Sequence, residues 1–248
     1  HIKQLMNVLG IDIGGSAIKA APVNTYNGSL AADRTRIATP QPATPAAIAD
    51  TIAEITVHFN WTGAVGCGLP AVIRDGIVCT ASNIDTNWIN TDVVELLSVK
   101  TGLQITALND ADAAGLAEIR YGAGSKASGT TLVVTAGTGI GTALFRGNTL
   151  VPNTELGHLL LHGKSAEQIA SAAVRTRQGL SYVDWAKRFD DYLHLLEELF
   201  WPDLFIIGGE ISKDHALFFP HLTIRTKILP AALRNDAGII GAAAAVLR

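Results

Sequence analysis

Residues 9–21 read LGIDIGGSAIKAA. An apolar run ends in a carboxylate, Asp12, followed at once by Gly14, Gly15 and Ser16. Successive backbone N–H groups in a tight glycine turn can converge on an anion, because glycine takes positive φ and lets a ligand approach the backbone. Ser16 adds a hydroxyl donor and Lys19 a charge. Two familiar phosphate loops do not fit. A P-loop needs G-x-x-x-x-G-K-[ST]; Gly163-Lys164-Ser165 supplies its tail, but His158 stands at the earlier glycine position. A Rossmann fingerprint needs G-x-G-x-x-G opening a helix. Gly137-Thr138-Gly139 begins like one, but Thr142 stands at the last position and a strand follows. What remains is a glycine turn between two strands. Read alone, it is a plain hairpin as readily as a phosphate holder. A second such turn, AGTGIG at 136–141, places the Thr138 hydroxyl among glycines and favours phosphate. Asp12 is either a turn-initiating residue or a carboxylate that holds Mg²⁺, directly or through water, beside a phosphate.

Asn109-Asp110 falls where a strand ends and a helix begins. Both are preferred N-cap types. A carboxylate there also suits a general base that takes a proton from an attacking hydroxyl. Spacing alone does not choose between cap and base. Glu155-x-x-His158 can be read as metal ligands, as can His158 with His162. HLLLH reads as a strand, however, and four strand steps separate its histidines by about 13 Å. They cannot then share an ion, and no structural zinc is expected.

The elements that must position these residues follow from pattern. Val8–Ile13 and Ala17–Val23 read as strands, Asn27-Gly28 as a turn, and Leu30–Ile37 as a third strand. TPQPATP cannot lie inside a helix or a central strand. A helix runs from Thr44 or Pro45 to about Phe59, with Ile48, Ile52, Ile55 and Phe59 at helical spacing. Ala64–Leu69 and Gln104–Leu108 are strands, Asp75-Gly76 is a hairpin turn, and residues 91–100 are helical. Thr131–Thr135 and Gly141–Phe145 are strands around AGTGIG. Residues 165–200 are mostly helical, Leu204–Ile207 is a strand, and Ile239–Leu247 is an alanine-rich helix. Residues 131–151 repeat the strand, glycine turn, strand, turn, strand order of residues 10–30. That echo points to two similar α/β halves facing each other.

The 248 residues are 48% apolar, enough for one large α/β domain or two smaller ones. A net charge of −3 gives no global positive field for nucleic acid. No apolar run reaches the roughly 18 residues that a membrane span needs. A soluble, cytoplasmic protein is expected, with neither nucleic acid nor membrane as partner. Cys67 and Cys79 fit no C-x-x-C pattern and are expected to be buried free thiols.

Taken together, Asp12-Ile13-Gly14-Gly15-Ser16 resembles the first phosphate motif of the ROK branch of sugar kinases, usually D-x-G-G-T. AGTGIG resembles the second phosphate motif, and Gly208-Gly209 after a strand resembles the adenosine-side motif. TPQPATP, ASNIDTNW, NDADAAGLAE, VPNTELGHL and PDLFIIGG extend the likeness over nearly the whole chain, toward members of the family that use polyphosphate. Ser16 keeps the hydroxyl of the usual Thr; Glu210 departs from a frequent third glycine.

The resemblance implies a two-domain α/β fold of the actin-like ATPase, ribonuclease H-like kind, with an interdomain cleft. Residues 1–110 plus 236–248 would form the small domain and 111–235 the large one. It implies transfer of the terminal phosphoryl group of polyphosphate or ATP to the 6-hydroxyl of glucose or mannose. The alternative is an ATP-only hexokinase for another hexose. Asp110 would be the base. Asn83, Asn109, Asp110, Glu155, His158 and Glu167 would contact the sugar. Gly14, Gly15, Ser16, Lys19, Thr138 and Gly139 would hold phosphate, Gly208 and Gly209 would form the nucleotide side, and Mg²⁺ would sit near Asp12. Lys19, Lys126, Arg146 and Lys213 are the candidate cations for a polyphosphate groove. The family's zinc loop is cysteine-rich, and Lys164–Ile169 holds no cysteine. Its regulators carry a DNA-binding domain before the first phosphate motif, and no regulator is expected here. A homodimer or a monomer is expected.

Overall fold

A short apolar run closed by glycines should be an interior strand, and Asn7–Ile13 (β1) is one. It pairs antiparallel with β2 (Ala17–Asn24) and parallel with a later strand on its other edge. The structure, a computed structural model, describes residues 7–82 and 84–247. They fall into two units. The first runs to Ala117 and resumes at Asp236; the second is Glu118–Asn235.

In the first unit, β2 turns at Asn27-Gly28, with Gly28 at φ +75°, into β3 (Ser29–Leu30). β4 (Thr35–Ala38) also pairs with β2. The expected single strand over 30–37 is thus two. Pro22 explains the break: its carbonyl accepts from the Ala31 N–H, but it has no N–H with which to continue the ladder. Residues 32–34 leave the sheet there.

α1 (Pro45–His58) starts where Thr44 accepts the Ala47 N–H at 3.3 Å, and its Ile48, Ile52 and Ile55 are buried on one face. β5 (Val65–Leu69) lies beside β1. Asp75 and Gly76, at φ +51° and +83°, join β6 (Ile73–Arg74) to β7 (Ile77–Val78) in the left-handed turn that such hairpins favour. α2 (Val93–Thr101), capped by Asp92, precedes β8 (Ile105–Asn109) and α3 (Asp110–Tyr121). The sheet order is β3-β2-β1-β5-β8. Cys67 in β5 is fully buried, and burial pushes its thiol up to about 12. Cys79 is exposed, so the expectation of two buried thiols holds for Cys67 alone.

The second unit repeats the plan. β9 (Thr130–Ala136), β10 (Ile140–Arg146) and β11 (Thr149–Val151) form an antiparallel meander. The hairpin β12 (Leu160–Leu161) and β13 (Lys164–Ser165) follows, then α4 (Ala166–Ala170), α5 (Ala172–Gln178) and α6 (Tyr182–Phe200). β14 (Leu204–Gly208) and β15 (Lys227–Pro230) complete the order β11-β10-β9-β14-β15. When only the strands along each five-strand path are numbered in chain order, both sheets run third, second, first, fourth, fifth, as the sequence echo suggests; β4 is an additional strand on β2 in the first sheet. α6 buries Trp185, Phe189, Leu193 and Leu196 against this sheet's core. It also carries Glu197, which anchors the approach to β15. Burial would raise that carboxyl, but hydrogen bonds from the Thr226 hydroxyl and N–H and from Arg225 outweigh burial and hold it below the usual range.

α7 (Ala237–Ala245) returns to the first unit. Its small residues let it reach backbone contact. A Cβ on Gly10 would lie 2.0 Å from the Ile239 carbonyl oxygen, and one on Gly66 would lie 1.8 Å from that of Ala242. A Cβ on Gly241 would lie 1.6 Å from the Ala113 carbonyl oxygen on α3. Among the described residues no helix is long and apolar enough to cross a membrane. Since backbone cannot swing aside as a flexible side chain does, Gly66→Ala should destabilise the protein by about 3 kcal/mol, the upper end for overpacking. Urea unfolding followed by circular dichroism checks this; an unchanged midpoint would contradict the close approach.

Candidate active site

The first glycine turn closes the β1–β2 hairpin. The last pair is Ile13 with Ile18, and one step back Asp12 stands opposite Lys19, with their charged groups 3.2 Å apart. The Gly14 N–H donates to the Ala17 carbonyl at 3.0 Å. The Pro-rich stretch then takes up the turn's carbonyls. The Thr39 hydroxyl donates to Gly14 O at 2.6 Å, the Thr39 N–H to Ser16 O at 3.2 Å, and the Gln41 amide to Gly15 O at 3.5 Å. Among the described residues no acceptor engages the N–H of Gly15 or Ser16, and both residues are exposed. The turn therefore offers its donors outward, as anion binding requires. Sequence reasoning read residues 39–45 as a break in helix and strand and as part of the family likeness, and missed Thr39 and Gln41 as supports.

Asp110 opens α3 at the end of β8. The Asn109 carboxamide oxygen accepts from the N–H groups of Ala111 and Asp112 at 2.9 and 3.0 Å, and its nitrogen donates to the Ala71 carbonyl at 3.2 Å. Asn109 is buried and serves the helix start. The Asp110 carboxylate accepts the Ala111 N–H at 2.8 Å and stays partly exposed. β5 separates β1 from β8: Gly68 is level with Asp12, and Leu69 with Asn109. β1 and β8 thus lie two strand spacings apart, about 10 Å, and Asp110 stands two residues past the level of Asp12. Both stand at carboxyl ends of parallel strands, where open α/β sheets bind ligands. Asn83 lies outside the described residues.

In the second unit, Gly137–Gly139 closes the β9–β10 hairpin. The Gly137 carbonyl accepts from the Ala173 N–H at 3.0 Å, and Thr138 is exposed. A Cβ on Gly139 would lie 2.5 Å from Glu167 Oε2, so this carboxylate sits against the turn. His158 Nε2 is 3.8 Å from Glu167 Oε1. Glu155 precedes, and His158 ends, a 3₁₀ turn, Leu156–His158, held by buried Thr142. The Thr142 hydroxyl donates to the Thr154 carbonyl and accepts the Leu156 N–H at 3.1 Å. Thr142 is a second support missed from the sequence, where it reads only as a strand residue. Gly208 pairs with Thr135, and a Cβ on Gly209, at φ +81°, would lie 2.4 Å from the Ala136 carbonyl oxygen. Thr138, Gly139, His158, Glu167, Gly208 and Gly209 therefore gather around the end of β9.

HLLLH is not a strand. His158 ends the 3₁₀ turn, only Leu160–Leu161 is extended, and His162, at φ +51°, forms a tight turn with Gly163 at φ +80°. The strand spacing between the two histidines therefore does not apply. Among the described residues no three of His, Cys, Asp and Glu are grouped to hold a metal. Mg²⁺ asks for less, one or two carboxylates with substrate phosphates completing its shell. Asp12, 18% exposed beside an outward-facing turn, fits that donor set. Of the candidate cations, Lys19 pairs with Asp12, Lys213 with Glu210 at 3.0 Å, and Arg146 donates to the Thr130 hydroxyl at 3.3 Å.

Two glycine turns on two sheets of one strand order, with carboxylates at strand ends, define an actin-like ATPase sugar-kinase fold. Residues 8–176 match the ROK family, and the chain belongs to that family. It is 48% identical over 237 residues to the polyphosphate glucokinase of Mycobacterium tuberculosis, covering 95% of this chain and 89% of that one. The crystal structure of an inorganic polyphosphate/ATP-glucomannokinase from an Arthrobacter species superposes with a TM-score of 0.93 at 45% identity, covering 98% and 99% of the two chains. A ROK glucokinase from Streptomyces griseus, solved with glucose and AMPPNP, shares the fold at 24% identity with a TM-score of 0.81, covering 96% and 98%.

Thr142→Val should free the turn that carries Glu155 and His158. The unpaired Leu156 N–H and Thr154 carbonyl should cost about 1–3 kcal/mol. Faster hydrogen exchange at the Leu156 amide, with β1 and β5 unaffected, is the expected reading.

Proposed function

We propose that this protein transfers the terminal phosphoryl group of inorganic polyphosphate or ATP to the 6-hydroxyl of glucose, giving glucose 6-phosphate, and that it accepts mannose as well. The observation that carries the reading is that Asp110 and the first glycine turn stand at the carboxyl ends of parallel strands of one sheet, two strand spacings or about 10 Å across. That spacing leaves room for a sugar hydroxyl and a phosphoryl group in line. The named activities of the Mycobacterium and Arthrobacter relatives support the donor and the acceptor.

Asp110 accepts the proton of the 6-hydroxyl and orients its oxygen for attack on the terminal phosphorus. The first turn of α3 favours negative charge at that position. Asn109 fixes the start of that turn and so the direction of the Asp110 carboxylate. The Gly15 and Ser16 N–H groups and the Ser16 hydroxyl hold phosphate oxygens, and Thr138 and Gly139 are further phosphate contacts in this reading. Glu155, His158 and Glu167 recognise the sugar hydroxyls, each of which both donates and accepts. Asn83 is a further sugar contact in this reading, and Gly208-Gly209 borders the nucleotide when ATP is the donor. Asp12, directly or through water, would hold Mg²⁺, which supplies charge neutralisation across the phosphate oxygens. Because the transition state is loose, most of the catalysis is positioning and electrostatic stabilisation, and little of it falls to covalent chemistry.

Asp110→Asn keeps the side chain's shape and removes the base. It should lower kcat by about 10²- to 10⁴-fold while glucose binding, measured by calorimetry, persists. Near wild-type turnover in that variant would remove Asp110 from the mechanism. A coupled assay for glucose 6-phosphate, run with polyphosphate and with ATP, should show turnover on both donors. Turnover on ATP alone would favour an ATP-only hexokinase.

A further inference from the structure

The glycines around α7 are not equivalent. Gly10, Gly66 and Gly241 each face a carbonyl oxygen across the α7 interface. Gly238, in the first turn of α7, faces a side chain. A Cβ there would lie 2.8 Å from Asp12 Cγ, 3.0 Å from Oδ1 and 3.1 Å from Oδ2. Near-equal distances to all three atoms mean that the carboxylate lies face-on to the place a Cβ would take.

Neither side of this contact has room to yield. Asp12 is inside the ladder, paired with Lys19 on one edge and Gly68 on the other. α7 is held at backbone contact at Ile239, Ala242 and Gly241. An added methyl group must therefore be accommodated by the carboxylate. Spinning the carboxylate about its own axis leaves Cγ in place, still too close. Only a swing of the whole group relieves the clash, and that swing gives up the 3.2 Å contact with Lys19. The first turn of a helix also favours negative charge at this position, so the direction that the bare glycine permits is the one the helix end stabilises.

We infer that Gly238 is a positioning residue for the Asp12 carboxylate, acting through α7 on the phosphate side of the reaction. This rests on the proposed role of Asp12. Packing at Gly238 sets where the carboxylate points, whereas packing at Gly241 sets only stability.

Gly238→Ala should lower kcat by about tenfold to a hundredfold, the scale of a displaced catalytic group, with the KM for glucose unchanged. Its thermal midpoint should stay close to wild type, whereas Gly241→Ala should lose midpoint. A readout independent of turnover is the affinity of the protein for Mn²⁺ in the presence of tripolyphosphate, followed by electron paramagnetic resonance. Gly238→Ala and Asp12→Ala should weaken it alike, and the double variant should be no weaker than Asp12→Ala. If Gly238→Ala fails to fold, Asp12→Ala added to it should restore folding, because the obstructed group is gone. Unchanged kcat and Mn²⁺ affinity in Gly238→Ala overturn the inference, as does a loss that adds fully to that of Asp12→Ala or a folding failure that Asp12→Ala leaves in place. If Asp12→Ala itself changes neither kcat nor Mn²⁺ affinity, the role of Asp12 falls, and this inference falls with it.

Discussion

The close approach of α7 to β1 and β5 is the constraint on which the first unit depends. Most helices meet a sheet through interdigitated side chains, which can repack when one of them changes size. Here Gly10 and Gly66 let carbonyl oxygens of α7 touch the strands directly, and Gly241 does the same against α3. Such contacts fix distance and direction together. β1 carries Asp12 one residue before its end, β8 ends beside Asp110, and α3 begins at Asp110. The two carboxylates thus inherit their spacing from a framework with little freedom to shift, as chemistry that depends on placement requires.

The repeated sheet order shows how one plan serves two purposes. In each unit the glycine turn joins the first two strands, and the residue one step before the last pair occupies the same place in the ladder. That residue is Asp12 opposite Lys19 in the first unit and Thr135 opposite Gly141 in the second. The plan is common, but the charge is not. The first unit carries two carboxylates, Asp12 and Asp110, at the ends of parallel strands beside its turn. The second sets Glu167 against its own turn, with His158 3.8 Å from that carboxylate, on the connection between β11 and β14.

Much of this was legible in the sequence. The β1 and β2 strands follow from an apolar run with a glycine break, and α1 from a cap, a proline and three isoleucines on one face. Asp75-Gly76 and Asn27-Gly28 are local turn chemistry and read directly. The echo between residues 10–30 and 131–151 reflects an actual repeat of topology. What did not read were features decided by distant partners. The break between β3 and β4 comes from Pro22, on the neighbouring strand. His158 belongs to a 3₁₀ turn and His162 to the tight turn with Gly163, local features that three leucines outweigh in the pattern. Thr39 and Thr142 look like ordinary polar residues until the carbonyls and N–H groups they serve are near. Residues 209–236 hold short 3₁₀ turns and a strand that ends in proline, with too little periodicity to recognise. The glycines facing α7 stand in strands or in an alanine-rich helix, and nothing local marks which of them meets a functional side chain.

The path of the chain carries a consequence for how the protein is made. β1, β5 and β8 emerge from the ribosome first, but α7, which covers them, follows only after all of Glu118–Asn235. The second unit is contiguous and has every strand of its sheet before α7 exists. It can assemble while the first unit still presents an uncovered apolar sheet face, the kind of surface that invites aggregation and chaperone binding. The helix that holds the carboxylate framework together is thus also the piece that ends the first unit's exposure during synthesis.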